Sequence, residues 1–508
     1  MTITCGKRRI EIMGNSFMTN LTDATNIKRT ENGALAHKST RSYVYDMFAF
    51  GGAYRTRTDE DCILLFKNAY EENPELALKC LFYLRDCRGG QGERRFFRVC
   101  FRWLCSYDPA AARRNLIHLS EYGRWDDLIY ATFGSELMWE AFKIIQHQLA
   151  LDVECKTPSL LAKWMPSENA SSWETKKMAN ELRKFLGLTH KQYRKILSAL
   201  RGRINVLERL MSANRWDEIE FDKIPSKAGL VYKNAFARRD IIAKKYEAFA
   251  KSSDTKVNAK ALYPYEIMHK AIENFRRYGD ETDRAIINKY WENQTDYFDG
   301  KPANIMCVVD TSASMRGLPI EVSISLGMYC AERCEGPFKD HFITFSRNPQ
   351  LVRVEGVDFV DKAKRIWNSN ICENTDLVKA FDLLLEVAKQ SNPEDIPEAL
   401  VVISDMEIDE GSGSGWFRRD NGSKAWTKET AVTEMEIVRQ KWAAAGIECP
   451  RLVYWNVDAR QDTVLDAGPK VSFVSGCSPV IFQQVVKGVA GYDLMLDKLM
   501  SERYAVIA

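Results

Sequence analysis

From residue 301 onward the sequence alternates short β-branched runs with stretches of helical period. The runs are "IMCVVD", "HFITFS", "ALVVISD", "RLVYWNV" and "VSFVS". A strand buried on both faces reads as a continuous apolar run, and parallel neighbours must be joined by a crossover long enough to hold a helix. Strand and helix alternation at this spacing predicts a doubly wound α/β domain over 301–508.

The preceding 260 residues follow a different period. In "HKQYRKILSALRGRINVLERL" the residues Tyr193, Ile196, Leu197, Leu200, Ile204 and Leu207 recur at helical spacing and form one buried stripe. Two echoes, "YGRWDDL" from Tyr122 and "ANRWDEI" from Ala213, hint at stacked helical hairpins. The expectation for 41–300 is an α-helical repeat (HEAT-like) domain. Residues 1–40 are polar and aperiodic and read as an arm or tail, and "WENQTDYFDGKPAN" reads as the linker between the two domains.

With 508 residues and 45% apolar content, the chain has ample material for two cores. No apolar run approaches the roughly 20 residues of a membrane helix, and the first residues lack the apolar stretch of a secretory signal. Thirteen scattered cysteines, several inside apolar runs and none in a CxxC, fit a reducing compartment and argue against zinc. The expected location is cytoplasmic. Residues 301–508 carry 23 Lys and Arg against 30 Asp and Glu, whereas the first 300 carry 49 against 39. The asymmetry suggests separate partners, with a polyanion first in line for the basic half; a solvated helical surface has the same composition.

The chemistry sits at strand ends, where loops of an open α/β sheet converge on ligands. Asp310, Ser312 and Ser314 follow "IMCVV", Asp405 closes "ALVVIS", and Thr375 with Asp376 precedes a helix in "ENTDLVKAFDLLLEV". Two carboxylates and hydroxyls without histidine make a hard oxygen shell suited to Mg²⁺, or to Mn²⁺. The two serines would serve equally well as a turn that caps the next helix.

"VVDTSASM", the threonine of "ENTD" and the aspartate of "VVISD" resemble the three-part metal-ion-dependent adhesion site of von Willebrand factor A domains. The resemblance covers about 301–508. It implies metal ligation by Asp310, Ser312, Ser314, Thr375 and Asp405, with one coordination place left for an acidic side chain of a protein partner. The whole chain is similar to the Ro (TROVE) family, whose helical-repeat ring binds RNA and is closed by such a domain. That similarity implies a small structured or single-stranded RNA as a partner.

For RNA the candidate contacts are Arg85, Arg88, Arg94, Arg95 and Arg98 around "RGGQGERR", and Lys191, Arg194, Lys195 and Arg201. Phe96, Phe97 and Trp103 offer rings for stacking, or pack between helices. For the protein partner the candidates are Trp416, Arg418 and Arg419, in a Gly- and Ser-rich excursion beyond Asp405. "GGQG" resembles the peptidyl-hydrolysis tripeptide of translation release factors, but here it interrupts a basic helical stretch. With no GKS/T loop, HExxH or GxSxG elbow, an enzyme is not expected. The reading is an RNA-binding scaffold with a Mg²⁺-binding A-type domain for partner contacts; its rival is a metal-dependent protein-interaction module that binds no RNA.

Overall fold

The computed structural model describes residues 25–508 except 205, 302, 346–348, 370–375, 410–432, 467 and 469. It opens with a hairpin of β1 (Ile27–Arg29) and β2 (Leu35–His37), antiparallel and closed by Gly33 at φ 96°. Residues 27–37 are therefore not a free tail. Helices follow to residue 292, each started by local chemistry. In α1 (Tyr43–Phe50) the Ser42 hydroxyl accepts the Tyr45 amide. In α2 (Asp59–Glu72) Thr58 and Asp61 form a reciprocal capping box, and α3 (Pro74–Arg85) begins on an Asn73 cap with proline in its first turn.

The basic segment becomes α4 (Arg94–Tyr107), which buries Phe96, Phe97, Cys100, Phe101 and Leu104 on one face. Beyond it lie α5 (Trp125–Tyr130), α6 (Leu161–Trp164) and α7 (His190–Arg203). The expected stripe is split: α7 buries Tyr193, Leu197 and Leu200, then stops, and Leu207 opens a separate short helix. The break falls after Gly202, where a Cβ would collide with the Arg209 guanidinium folded back over it. The two Arg-Trp-Asp echoes also differ: the first starts α5 with Asp127 wholly buried, whereas the second forms a 3₁₀ turn in which Arg215 pairs with Glu218 in solvent.

The sheet domain contains β3 (Ile305–Asp310), β4 (His341–Phe345), β5 (Gln350–Arg353), β6 (Ala399–Ser404), β7 (Arg451–Asn456) and β8 (Val471–Ser475). These form a six-stranded mixed sheet in the order β5-β4-β3-β6-β7-β8, parallel except for the edge strand β5. Every residue of β3 and β6 is buried, as strands covered on both faces must be. One covering helix is α8 (Leu318–Arg333); its Gly327 lets the backbone approach Val309, since a Cβ there would stand 2.5 Å from Val309 Cγ2.

The two parts share one apolar core. The Tyr45 hydroxyl of α1 accepts the Phe473 amide of β8 at 2.9 Å, tying the first helix to the last strand. Gln91 of "GGQG" is 1% exposed; its amide donates to the Tyr83 hydroxyl and its carbonyl accepts the Ser478 amide. At the far end Trp291 stacks on Phe359 at 3.9 Å, and Phe298 of the expected linker packs against Tyr329 and Phe482. The linker is thus part of the joint. No helix among the described residues is long and apolar enough to cross a membrane.

Candidate metal centre

Parallel pairing of β3 with β6, Val309 opposite Ile403, brings Asp310 and Ser404 side by side at the carboxyl edge of the sheet. Asp310 is fully buried there. Its Oδ1 accepts the Ser312 amide at 2.9 Å and its Oδ2 accepts the Ser404 hydroxyl at 2.6 Å. The Ser404 oxygen also lies 3.5 Å from Asp405 Oδ1, so one hydroxyl stands between two buried carboxylates. Burial, and then the Asp405 charge, push the Asp310 carboxyl up to about 7 against the hydrogen bonds from Ser404 and Ser312 that pull it down. A nearby cation would favour its charged form.

Asp405 Oδ1 accepts the Glu407 amide at 3.1 Å, and Oδ2 takes the Arg460 guanidinium at 2.5 Å. Arg460 reaches onward to Glu31 at 3.0 Å. The hairpin β1–β2 is consequently seated on this edge: Thr30 Oγ1 donates to the Ile408 carbonyl, the Glu31 amide to Glu407 Oε2, and His37 exchanges backbone bonds with Val464.

The serines do not cap α8, whose N-cap is Gly317 at φ 91° with no side-chain bond. Ser312 and Ser314 instead bond each other, Oγ to Oγ at 2.9 Å, with Ser312 buried and Ser314 half-buried beside it. Thr311 Oγ1, wholly enclosed, has no hydrogen-bond partner among the described residues. The donors Asp310, Asp405, Ser312 and Ser314 are all hard oxygens, and this set fits a divalent ion of the Mg²⁺ type. Among the described residues no three His, Cys, Asp or Glu side chains form a metal-binding group, so carboxylates alone would not complete a shell; hydroxyls and water must contribute. Thr375, Trp416, Arg418 and Arg419 lie outside the described residues.

The basic candidates are placed very differently from one another. Arg85 is buried and donates twice to Asp127 Oδ2, at 2.9 and 2.7 Å; Arg98 donates to Asp127 Oδ1 at 2.6 Å and stacks 4.2 Å over Tyr130. These two guanidiniums hold the Asp127 carboxyl below its ordinary value despite the desolvation that opposes them. Arg95 pairs with Asp59, and Arg88 bonds the Glu121 carbonyl. Arg94 is exposed and has no ion pair among the described residues; burial of part of its chain and the charges of Arg124 and Arg98 lower its pKa. On α7, Arg201 is tied to the carbonyls of Ala162 and Met165, while Lys191, Arg194 and Lys195 are exposed. Phe96 and Phe97 are buried, and Trp103 stacks on Tyr107.

Sequence reasoning missed Ser404 and Arg460. Ser404 is the one polar residue inside an apolar strand, a signal that was visible beside Asp405. Arg460 carries none: it stands 55 positions from its partner in the loop after β7.

Comparison with known proteins divides the chain at the same place as its period. Residues 304–493 match the model "Domain of unknown function (DUF7788)", and residues 30–130 and 159–299 match "Domain of unknown function (DUF2828)". The chain is 27% identical over 474 residues to "Uncharacterized protein L728" of Acanthamoeba polyphaga mimivirus, an alignment spanning 85% of this chain and 79% of that protein. The chain thus joins a region similar to DUF2828 to a region similar to DUF7788, with Asp310, Asp405 and Arg460 in the second and Glu31 in the first.

Proposed function

We propose that the protein is a binding scaffold whose sheet domain is a von Willebrand A-type domain holding Mg²⁺ or Mn²⁺ at Asp310, Ser312, Ser314 and Asp405, within a Ro-like arrangement. The observation that carries this reading is the convergence of Asp310 and Asp405 on the Ser404 hydroxyl at the carboxyl edge of a parallel sheet. Two carboxylates beside neutral hydroxyls leave a divalent ion able to attract one more anionic oxygen. A partner's Asp or Glu would supply it, and no catalytic group is required. Binding to the folded state alone raises its stability by mass action. Thermal unfolding tests this: millimolar Mg²⁺ or Mn²⁺ should raise the midpoint of the wild type and leave that of Asp310→Ala unmoved, whereas equal shifts in both would place the ion elsewhere.

A second reading, RNA binding by the helical half, is favoured by one open groove of about 790 Å³ between α6 and α7, lined in part by Tyr130, Lys163, Trp164, Arg194 and Arg209. Arg194 and Arg209 are exposed along it, whereas Tyr130 and Trp164 are half-buried under Arg98 and Arg124; basic side chains lining a groove are the usual means of holding a phosphate backbone. Arg85 and Arg95, paired with Asp127 and Asp59, do not line it, and Arg98 meets it only through the ring of Tyr130. RNA that copurifies with the chain and is released by moderate salt would support this reading; chain purified free of RNA, with no salt-sensitive binding to single strands, would remove it.

A further inference from the structure

We infer that Arg460 is a built-in counter-cation of the carboxylate site, and that a divalent ion binding there competes with it and loosens the N-terminal hairpin from the sheet edge. The inference rests on the metal reading given above and adds to it a named competitor and a consequence for a distant segment.

The geometry singles out one oxygen. Asp405 Oδ1 is committed to the Glu407 amide, but Oδ2 is held by the Arg460 guanidinium, a group that can leave. Arg460 is fixed through its backbone, whose carbonyl accepts Arg57 Nη1 at 2.6 Å, so the side chain can swing without the loop following. About a third of that side chain is exposed, and its Nε has no hydrogen-bond partner among the described residues. By contrast the Asp405 side chain is almost wholly enclosed. A divalent ion bonded to Asp405 would set its charge beside the guanidinium, at a carboxylate too enclosed for water to screen the repulsion fully. The more exposed charge gives way.

The other half of the guanidinium holds Glu31. Glu31 sits in the turn between β1 and β2, and its neighbours Thr30 and Asn32 bond the Ile408 and Glu407 carbonyls. Withdrawal of Arg460 removes the only side-chain ion pair that joins this turn to Asp405 among the described residues, while the Thr30, Asn32 and His37 bonds remain. The expected response is local loosening of residues 30–33, with the hairpin itself kept. Because coupling between two binding events is reciprocal, removing the competitor must tighten the ion.

The test uses the full chain, Mg²⁺ alone, and two readouts: affinity by calorimetry and amide hydrogen exchange over residues 27–37. Arg460→Gln should bind Mg²⁺ about tenfold more tightly than wild type, a coupling within the usual range for linked sites. Glu31→Gln, which leaves the Arg460 charge uncompensated beside the site, should bind it several-fold more weakly and keeps the test open if the first variant fails to fold. Mg²⁺ should speed exchange at residues 30–33 in the wild type and change it little in Arg460→Gln, where it is already fast. Mg²⁺ binding that is equal or weaker in Arg460→Gln, or exchange over 30–33 that Mg²⁺ leaves unchanged in the wild type, would overturn the competition while leaving the metal site standing. Absence of Mg²⁺ binding from the wild type and both variants would overturn the metal reading itself, and this inference with it.

Discussion

Gln91 and Ser478 meet across the junction of the helical and sheet domains, the Gln91 carbonyl accepting the Ser478 amide at 3.1 Å while its amide donates to the Tyr83 hydroxyl at 2.7 Å. The "GGQG" segment is therefore a joint. Gly92 supplies φ 65°, and Gly90 passes so close to the Tyr83 carbonyl that a Cβ would collide with it.

Gln91→Ala leaves a buried amide and a buried hydroxyl unpaired, and should cost about 1–3 kcal/mol of stability. Denaturant unfolding of the full chain measures it. A cost below about 0.5 kcal/mol, the scatter seen at ordinary surface positions, would mean that the joint does not depend on this side chain.

Asp127 is enclosed between Arg85 and Arg98. Removing one partner of a buried pair strands the other charge, so Asp127→Asn should destabilise by about 3–5 kcal/mol. The sign of the pH dependence follows from its depressed pKa: the stabilisation is present above the ordinary carboxylate value and is lost as pH falls through the lower folded one. Acid unfolding of wild type against Asp127→Asn should show the two curves converging only at low pH. Curves that stay parallel to low pH would assign the pair no net role.

Asp310 titrates in the opposite sense. Its folded pKa of about 7 lies above the ordinary 3.8, so the folded chain without metal binds the extra proton between those values. That contribution to stability is present below about pH 4 and is lost as pH rises through about 7. Mg²⁺ requires the charged form, so its affinity should rise between about pH 6 and 8 and then level off. Calorimetry in buffers of different ionisation heat would detect the released proton. A pH-independent affinity would mean that the ion does not touch Asp310.

If single-stranded RNA occupies the α6–α7 groove, reversing Arg194 of its lining together with Lys191 and Lys195 elsewhere on α7 should flatten the dependence of log affinity on log salt by about 0.7 for each phosphate no longer neutralised. The variant should remain folded, since all three side chains are exposed. Reversal of Arg95 and Arg98 should instead damage the fold through Asp59 and Asp127. An unchanged salt slope in the first variant would remove α7 from the RNA reading.

The strands that carry the site were legible because fully buried parallel strands leave continuous apolar runs: "IMCVVD" and "VSFVS" coincide with β3 and β8 residue for residue. Edge strand β5 was not, since Gln350–Arg353 is mostly exposed and so carries no such run. The positions of Asp310 and Ser312 were legible from where the run ends. What surrounds them was not, because it depends on register and on distant chain: Ser404 arrives through β3–β6 pairing, and Arg460 and Glu31 through loops hundreds of residues apart. The same blindness explains the arginines of α3 and α4. A basic run shows its charge in the sequence, but its acidic partners Asp59, Asp126 and Asp127 are settled only by packing.

A divalent ion at the carboxyl edge of the sheet should be held through Asp310, and calorimetric titration of the full chain with Mg²⁺ at about pH 8, wild type against Asp310→Asn, decides whether it is. The substitution preserves side-chain volume and the acceptor for the Ser312 amide, turns the oxygen facing Ser404 into an NH2 that the Ser404 hydroxyl can accept, and removes one hard anionic ligand. One Mg²⁺ should bind per wild-type chain, with at least a roughly tenfold weaker affinity in a variant that remains folded. Equal affinity in the two proteins, or no binding by the wild type, would contradict it.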